Sequence, residues 1–141
     1  MATFLLKTEP STYSYDDLVR EKATAWTGIT NAAALKALRS ARRGDEAFIY
    51  HTGAQKAIVG LAKIVTNPYE DPTNPGRNGD GEPKVPVIDI KPLRKAPTPV
   101  TLAAIKADTR FADFALVRQS RLSAMMVPDD LALILRQLTG L

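Results

Sequence analysis

An α+β fold, built on a small curved, mostly antiparallel, barrel-like sheet flanked by short helices, is what this sequence predicts, on three observations. Apolar, β-prone runs at residues 3–7, 47–51 and 57–65 have the length of strands. The helical segments between and after them are short and carry capping residues at their ends. Strands and helices interleave irregularly, with no internal repeat, as in a compact α+β domain. The 141 residues fit one domain, 1–141, and a chain of this length buries about 68–70% of the surface its unfolded form exposes.

The first run ends at Glu9-Pro10 and reads as a strand. Ser14 followed by Asp17 has the spacing of an N-cap with an acidic group three residues on, and Leu18 and Val19 supply the apolar face of a short helix to about Glu21. Asn31 caps a second helix over 32–40, where Leu35 and Leu38 share a face, so the run Trp26-Thr27-Gly28-Ile29-Thr30-Asn31 reads as the loop entering it. Arg43-Gly44-Asp45 is a turn into strands 47–51 and 57–65, which residues 52–56 join as an antiparallel pair. Gly60 within the second strand marks a bulge or a close approach of another group. Residues 66–84 hold four prolines and three glycines and read as a long exposed loop. A strand returns at 85–90, where Pro86 implies an edge or an irregular start. Helical turns follow at 101–107 and 110–114, then a last strand at 123–127. Pro128, Asp129 and Asp130 at the start and Gly140 past the end bracket a final helix with Leu131, Ile134, Leu135 and Leu138 on its apolar face.

Composition narrows the chemistry. The chain has no Cys, which excludes disulfides, thiolate nucleophiles and Cys-ligated metal, and is compatible with a reducing cytoplasm. The N-terminus shows no basic leader, and no stretch approaches the roughly 20 apolar residues that span a bilayer, so the expectation is a soluble, cytoplasmic protein without a membrane partner. Nineteen Lys and Arg against fifteen Asp and Glu give +4, a balance that favours an anionic partner. Arg39, Arg42 and Arg43 form one basic group; Lys91, Arg94 and Lys95 form another; Arg118 and Arg121 a third.

Catalytic and metal patterns are missing. His51 is the only histidine, without the spaced partners a zinc site needs and without a Gly-x-Ser-x-Gly elbow for a triad. The run Gly76-Arg77-Asn78-Gly79-Asp80-Gly81 lies amid prolines and lacks the Gly-Lys-Ser/Thr tail of a phosphate loop. Asp16 and Asp17 suit capping better than acid–base work. No metal and no cofactor are expected. What remains is Trp26, the only tryptophan, set among turn and capping residues, where a flat indole beside an Asn amide suits a planar heterocycle such as a base.

Four ordered motifs carry a resemblance: Phe4-Leu5-Leu6-Lys7-Thr8-Glu9-Pro10-Ser11-Thr12-Tyr13-Ser14, Trp26-x-Gly28-Ile29-x-Asn31, Gly44-Asp45 leading into Phe48-Ile49-Tyr50-His51, and Arg118-Gln119-Ser120-Arg121-Leu122-Ser123. Over nearly the whole chain the sequence resembles the EVE domain family, which is similar to the thymocyte nuclear protein 1 group and lies in the PUA-like superfamily. The resemblance implies a PUA-like barrel and a non-catalytic module that reads a modified, cytosine-type base in DNA or RNA, often beside restriction or defence modules in bacteria. Carried over by position, the pocket draws on Lys7, Thr8, Trp26, Asn31, Tyr50, His51, Arg118, Gln119 and Ser120. The basic groups read from the sequence itself, Arg39, Arg42, Arg43 and Arg121, are then the candidates for the nucleic-acid backbone. The chain departs from the family pattern at Thr30, where an arginine is usual, and at Ala32, Ala33 and Leu35, where tyrosine, glutamine and arginine are usual. Two other readings stand beside this one: an enzyme on nucleotides or small molecules using His51, and a protein-interaction module with a vestigial pocket.

Overall fold

In a computed structural model, which describes all 141 residues, seven strands make one mixed sheet. They are β1 (Thr3–Thr8), β2 (Thr24–Trp26), β3 (Glu46–His51), β4 (Ala57–Ile64), β5 (Tyr69–Glu70), β6 (Pro86–Thr101) and β7 (Ala124–Val127). Around them lie α1 (Tyr15–Glu21), α2 (Ala32–Arg39), α3 (Leu102–Ala107), α4 (Ala115–Arg118) and α5 (Asp129–Thr139), with one 3-10 turn at Thr109–Phe111. The strand order is β2-β6-β4-β3-β1-β7, with β5 on the side of β6, and the sheet curls into a half-barrel. Only β1 and β3 run parallel; the other pairings are antiparallel, so the expected mostly antiparallel curved sheet is what forms.

The strands at the centre are apolar on both faces. Phe4, Leu5 and Leu6 of β1 and Phe48 of β3 are fully buried, because helices cover one face of the curled sheet and the barrel interior covers the other. Curvature needs irregular pairing, and the β3–β4 register shifts at Ile49/Tyr50 while the β4–β6 register shifts at Ile58/Gly60 and Leu61/Ala62. Gly60 is where the Tyr15 ring from α1 meets the sheet, so the close approach expected there is real.

The two ends of the strand path, β2 and β7, do not pair, and α2 crosses the gap, packing on β7 and on β6. Its start is fixed by Asn31, whose Oδ1 accepts from Ala33 N at 2.9 Å and Ala34 N at 3.1 Å. Ser14 and Asp17 form the expected reciprocal cap on α1. At the far end Gly140 closes α5 in a left-handed conformation.

Several expectations need correction. Trp26 is not in a loop; it ends β2, opposite Ile88 of β6. Strand β6 does not stop at residue 90 but runs sixteen residues to Thr101. Beyond Ile90 it has a strand neighbour on one side only, so Pro92, Pro97 and Pro99 remove no ladder bond that a second neighbour would need. Residues 66–84 are not a bare loop: they include β5, the Arg77–Pro83 bridge and a buried Asp71. Helix α4 was unforeseen. The buried side of α5 is Leu131, Ala132, Leu135 and Thr139, while Leu138 is 40% exposed.

Candidate functional site

The largest concavity is a cleft of about 510 Å³, within the ordinary range of small-ligand sites. One wall is the end of β1 and the residues after it, Lys7, Thr8, Glu9, Thr12 and Tyr13; the other is β2 with Thr27, Gly28 and Ile29. Ser123, just before β7, completes it. The cleft therefore opens between the two unpaired ends of the sheet.

Trp26 is 7% exposed and belongs to the core, yet it also faces the cleft. Tyr13 meets it edge to face, centroids 6.1 Å apart at 77°. Tyr13 is itself held by its hydroxyl, which donates to Glu21, and by its carbonyl, which accepts from Thr8 Oγ1 at 2.6 Å. Burial and the Glu21 carboxylate raise the Tyr13 phenol to about 12. The indole N–H donates to nothing in the chain, and no buried polar side-chain atom lacks a partner, so that N–H remains open to solvent. This wall thus presents the accessible part of the indole beside the Tyr13 ring, and the indole N–H has no partner within the chain.

Lys7 supplies the charge. Its Nζ donates to the Ser120 carbonyl at 2.9 Å and lies 5.8 Å from the centre of the Tyr50 ring, and it forms no ion pair. Partial burial lowers its pKa below the usual 10.5. Glu9, at the rim, does not neutralise it. The Glu9 carboxylate accepts from Ser11 N at 3.2 Å, Ser11 Oγ at 3.0 Å and Thr52 Oγ1 at 3.2 Å, and the Ser11 bonds chiefly hold its pKa below the ordinary value. An unneutralised, partly desolvated ammonium at an aromatic wall attracts an acceptor-rich or anionic ligand more strongly than a free lysine in water does.

The structure brings together only part of the set marked in the sequence. Lys7, Thr8 and Trp26 line the cleft, whereas Ser120 lies outside its lining and is linked to it only by the carbonyl that holds Lys7. Tyr50 lies beneath Lys7, 3% exposed. His51 is 8% exposed, its Nε2 accepting from Tyr15 N at 3.0 Å and its Nδ1 2.8 Å from Gln55 Oε1, so both nitrogens are engaged within the chain. Asn31 caps α2, and Arg118 donates to the Ala112 carbonyl and pairs with Asp113, with Gln119 closing α4 beside it. Arg121 is exposed next to Ser120. Of the departures from the family pattern, Thr30, Ala32 and Ala33 are exposed and Leu35 is buried, and none lines the cleft.

The basic group Arg39, Arg42 and Arg43 lies elsewhere. Thr8 pairs with His51 at one end of β1 and β3 and Thr3 with Glu46 at the other, so Arg42 and Arg43, just before β3, stand about 17 Å along the strands from Thr8. Arg39 donates to the carbonyls of Pro83 and Lys84, and Arg42 to those of Arg39 and Ala41. Arg43 is fixed at its backbone by Asn67. Glu9, Thr12, Tyr13, Thr24, Ala25, Thr27, Gly28, Ile29 and Ser123 also line the cleft without having been assigned to it; all but Thr24 and Ala25, which directly precede Trp26, lie within the motifs quoted above, so adjacency was the available signal.

An open half-barrel whose seam holds an aromatic and cationic cleft defines a PUA-like domain. The chain belongs to the EVE domain family, whose profile matches residues 2–138. It is similar to a Rhodopseudomonas palustris protein solved by NMR, at 41% identity and TM-score 0.87, over 99% of this chain and 94% of that one. Human THYN1 solved in complex with 5-methylcytosine-containing DNA superposes at TM-score 0.82 and 27% identity, over 97% of this chain and 98% of that one. Human thymocyte nuclear protein 1 is 30% identical over 74% of this chain, which spans about half, 55%, of that protein's length.

Proposed function

We propose that this chain is a non-catalytic nucleic-acid-binding module that accepts a modified, cytosine-type base into the Trp26 cleft. The observation that carries the reading is the pairing of the Trp26 edge with the unneutralised Lys7 ammonium in one cleft of base-holding size. The human THYN1 complex with 5-methylcytosine DNA, on the same fold, supports DNA as the partner. Extruding a base from a duplex costs a few kcal/mol. Contact with the Trp26 edge and the Tyr13 ring, together with hydrogen bonds from Lys7 and the indole N–H to acceptors on the base edge, offsets that cost. Arg121, exposed and two residues before Ser123 of the cleft, is the candidate for a phosphate contact.

The test is equilibrium binding to matched duplexes carrying 5-methylcytosine or plain cytosine. The native protein should prefer the modified duplex at every salt concentration. Lys7→Gln and Trp26→Phe should each reduce the preference while the fold, followed by circular dichroism, stays intact. Equal affinity of the native protein for both duplexes rejects the reading.

A further inference from the structure

Next to the cleft lies a second hollow, of about 390 Å³, between the β3–β4 turn and the start of α3. Lys56 and Lys106 are its only charged residues, accompanied by Gln55 and Thr101, and no carboxylate lines it. Both lysines are exposed and neither is in an ion pair. Lys56 holds a φ of 45°, a left-handed conformation that non-glycine residues adopt uncommonly. Two cations thus share a concave surface with nothing of the chain's own to balance them.

The hollow and the cleft are fixed to each other. Thr8 is in register with His51 and His51 with Ala57, so Lys56 stands two strand spacings, about 10 Å, from the cleft wall and at the same end of the sheet. The turn between them is tied to the rim by Thr52 N to the Thr8 carbonyl at 2.9 Å and by Thr52 Oγ1 to Glu9 Oε2 at 3.2 Å. On the far side, Leu102 N donates to the Lys56 carbonyl at 2.7 Å, which fixes α3 against the turn.

We infer that Lys56 and Lys106 form a phosphate shelf, holding the backbone of the strand whose base enters the cleft. This rests on the base-reading proposal above. One strand of a duplex carries a phosphate every 3.4 Å of axis, so an offset of about 10 Å corresponds to roughly three nucleotides from the extruded one. The strand then runs from Lys7 over the β3–β4 turn toward α3. Arg39 and Arg42, at the other end of the strands, have their guanidinium groups on backbone carbonyls and lie off this path.

The experiment measures affinity for the 5-methylcytosine and plain duplexes between about 50 and 200 mM salt. It compares the native protein, the double variant Lys56→Gln/Lys106→Gln, and a control of equal charge loss, Lys63→Gln/Lys91→Gln, a cross-strand pair near the start of β3. Each phosphate contact contributes a salt slope of about 0.9, equivalent to about five-fold in affinity at 0.15 M, so losing two should weaken binding about 30-fold and lower the slope by about two. Both duplexes should weaken alike, leaving the preference for the modified base unchanged, and the control pair should change affinity by less than about two-fold. Retained affinity and slope in the double variant, or an equal loss in the control, overturns the shelf while a surviving base preference keeps the reader. Failure of the native protein to bind or discriminate overturns both.

Discussion

Replacing Gly60 by alanine puts the packing of the sheet against α1 to a direct test. A β-carbon there would stand 2.5, 2.6 and 2.8 Å from three carbons of the Tyr15 ring. Carbon atoms in contact prefer about 3.5–4.0 Å, so the ring would have to retreat by roughly 1 Å. It has little room: Tyr15 is 2% exposed, its hydroxyl donates to the Leu61 carbonyl at 2.7 Å and its N–H to His51 at 3.0 Å. Overpacking a filled core costs about 1–3 kcal/mol, and a ring held at both ends belongs at the upper limit, about 3 kcal/mol. At a urea m-value of about 2 kcal/mol/M, the unfolding midpoint should fall by about 1.5 M with the slope unchanged. In a Tyr15→Leu background the ring is gone, and the same substitution should cost less than about 1 kcal/mol, a coupling of about 2 kcal/mol. If Gly60→Ala is neutral, or equally costly in both backgrounds, the contact is not what excludes a side chain at that position.

Three further outcomes are expected. His51→Ala leaves the buried Tyr15 N–H unpaired and should cost about 1–3 kcal/mol in denaturant unfolding. The ratio of affinities for modified and plain duplexes should not change; a lost ratio with unchanged stability would place His51 in ligand contact instead. Asn31→Ala removes the acceptor for two N–H groups of α2 and should cost about 1 kcal/mol, with Asn31→Asp close to native in the same melts. At high pH, the phenols of Tyr13 and Tyr69, both raised to about 12 by burial and a neighbouring carboxylate, should keep their protons in the native state after unfolded tyrosines lose theirs near 10. The sign follows: the native state binds more protons in that window, so stability present below pH 10 declines as pH rises toward about 12. Tyrosinate absorbance should therefore appear together with loss of the folded circular dichroism signal, and free titration of all four tyrosines near pH 10 in a folded protein would contradict it.

Local chemistry was legible wherever it was self-contained. The Ser14/Asp17 cap, the Asn31 cap, the Gly140 terminus and the β3–β4 hairpin each depend on residues within a few positions of one another, and each is where the sequence put it. What stayed hidden depends on a distant partner. Thr24–Trp26 has too few residues to show a pattern and becomes a strand because β6 offers a free edge at Ile88–Ile90. Pro92, Pro97 and Pro99 cannot donate to a ladder and give no local strand signature, and only the one-sided pairing beyond Ile90 makes them acceptable in β6. Arg39 looked like a free surface cation, but its targets, the carbonyls of Pro83 and Lys84, lie 44 and 45 residues away in the chain.

The site follows the same division, and its location has a structural cause. A curled sheet that does not close leaves two edges, which here are short, three residues in β2 and four in β7, and a gap that something must fill. Helix α2 fills part of it from the β7 side. The remainder is the cleft, so Lys7 and Trp26, near opposite ends of the strand path, become neighbours because the barrel stays open. Closing the seam would bury the indole on both sides and leave the Lys7 ammonium to be desolvated without an anion. Trp26 consequently has two roles at once, with most of its surface in the core and one edge in the cleft. Truncating it to alanine would cost about 3–5 kcal/mol through the core, which is why binding is better interrogated through Lys7. That side chain is only partly buried and holds a single hydrogen bond, so its loss changes the cleft's charge while the surrounding sheet stays in place.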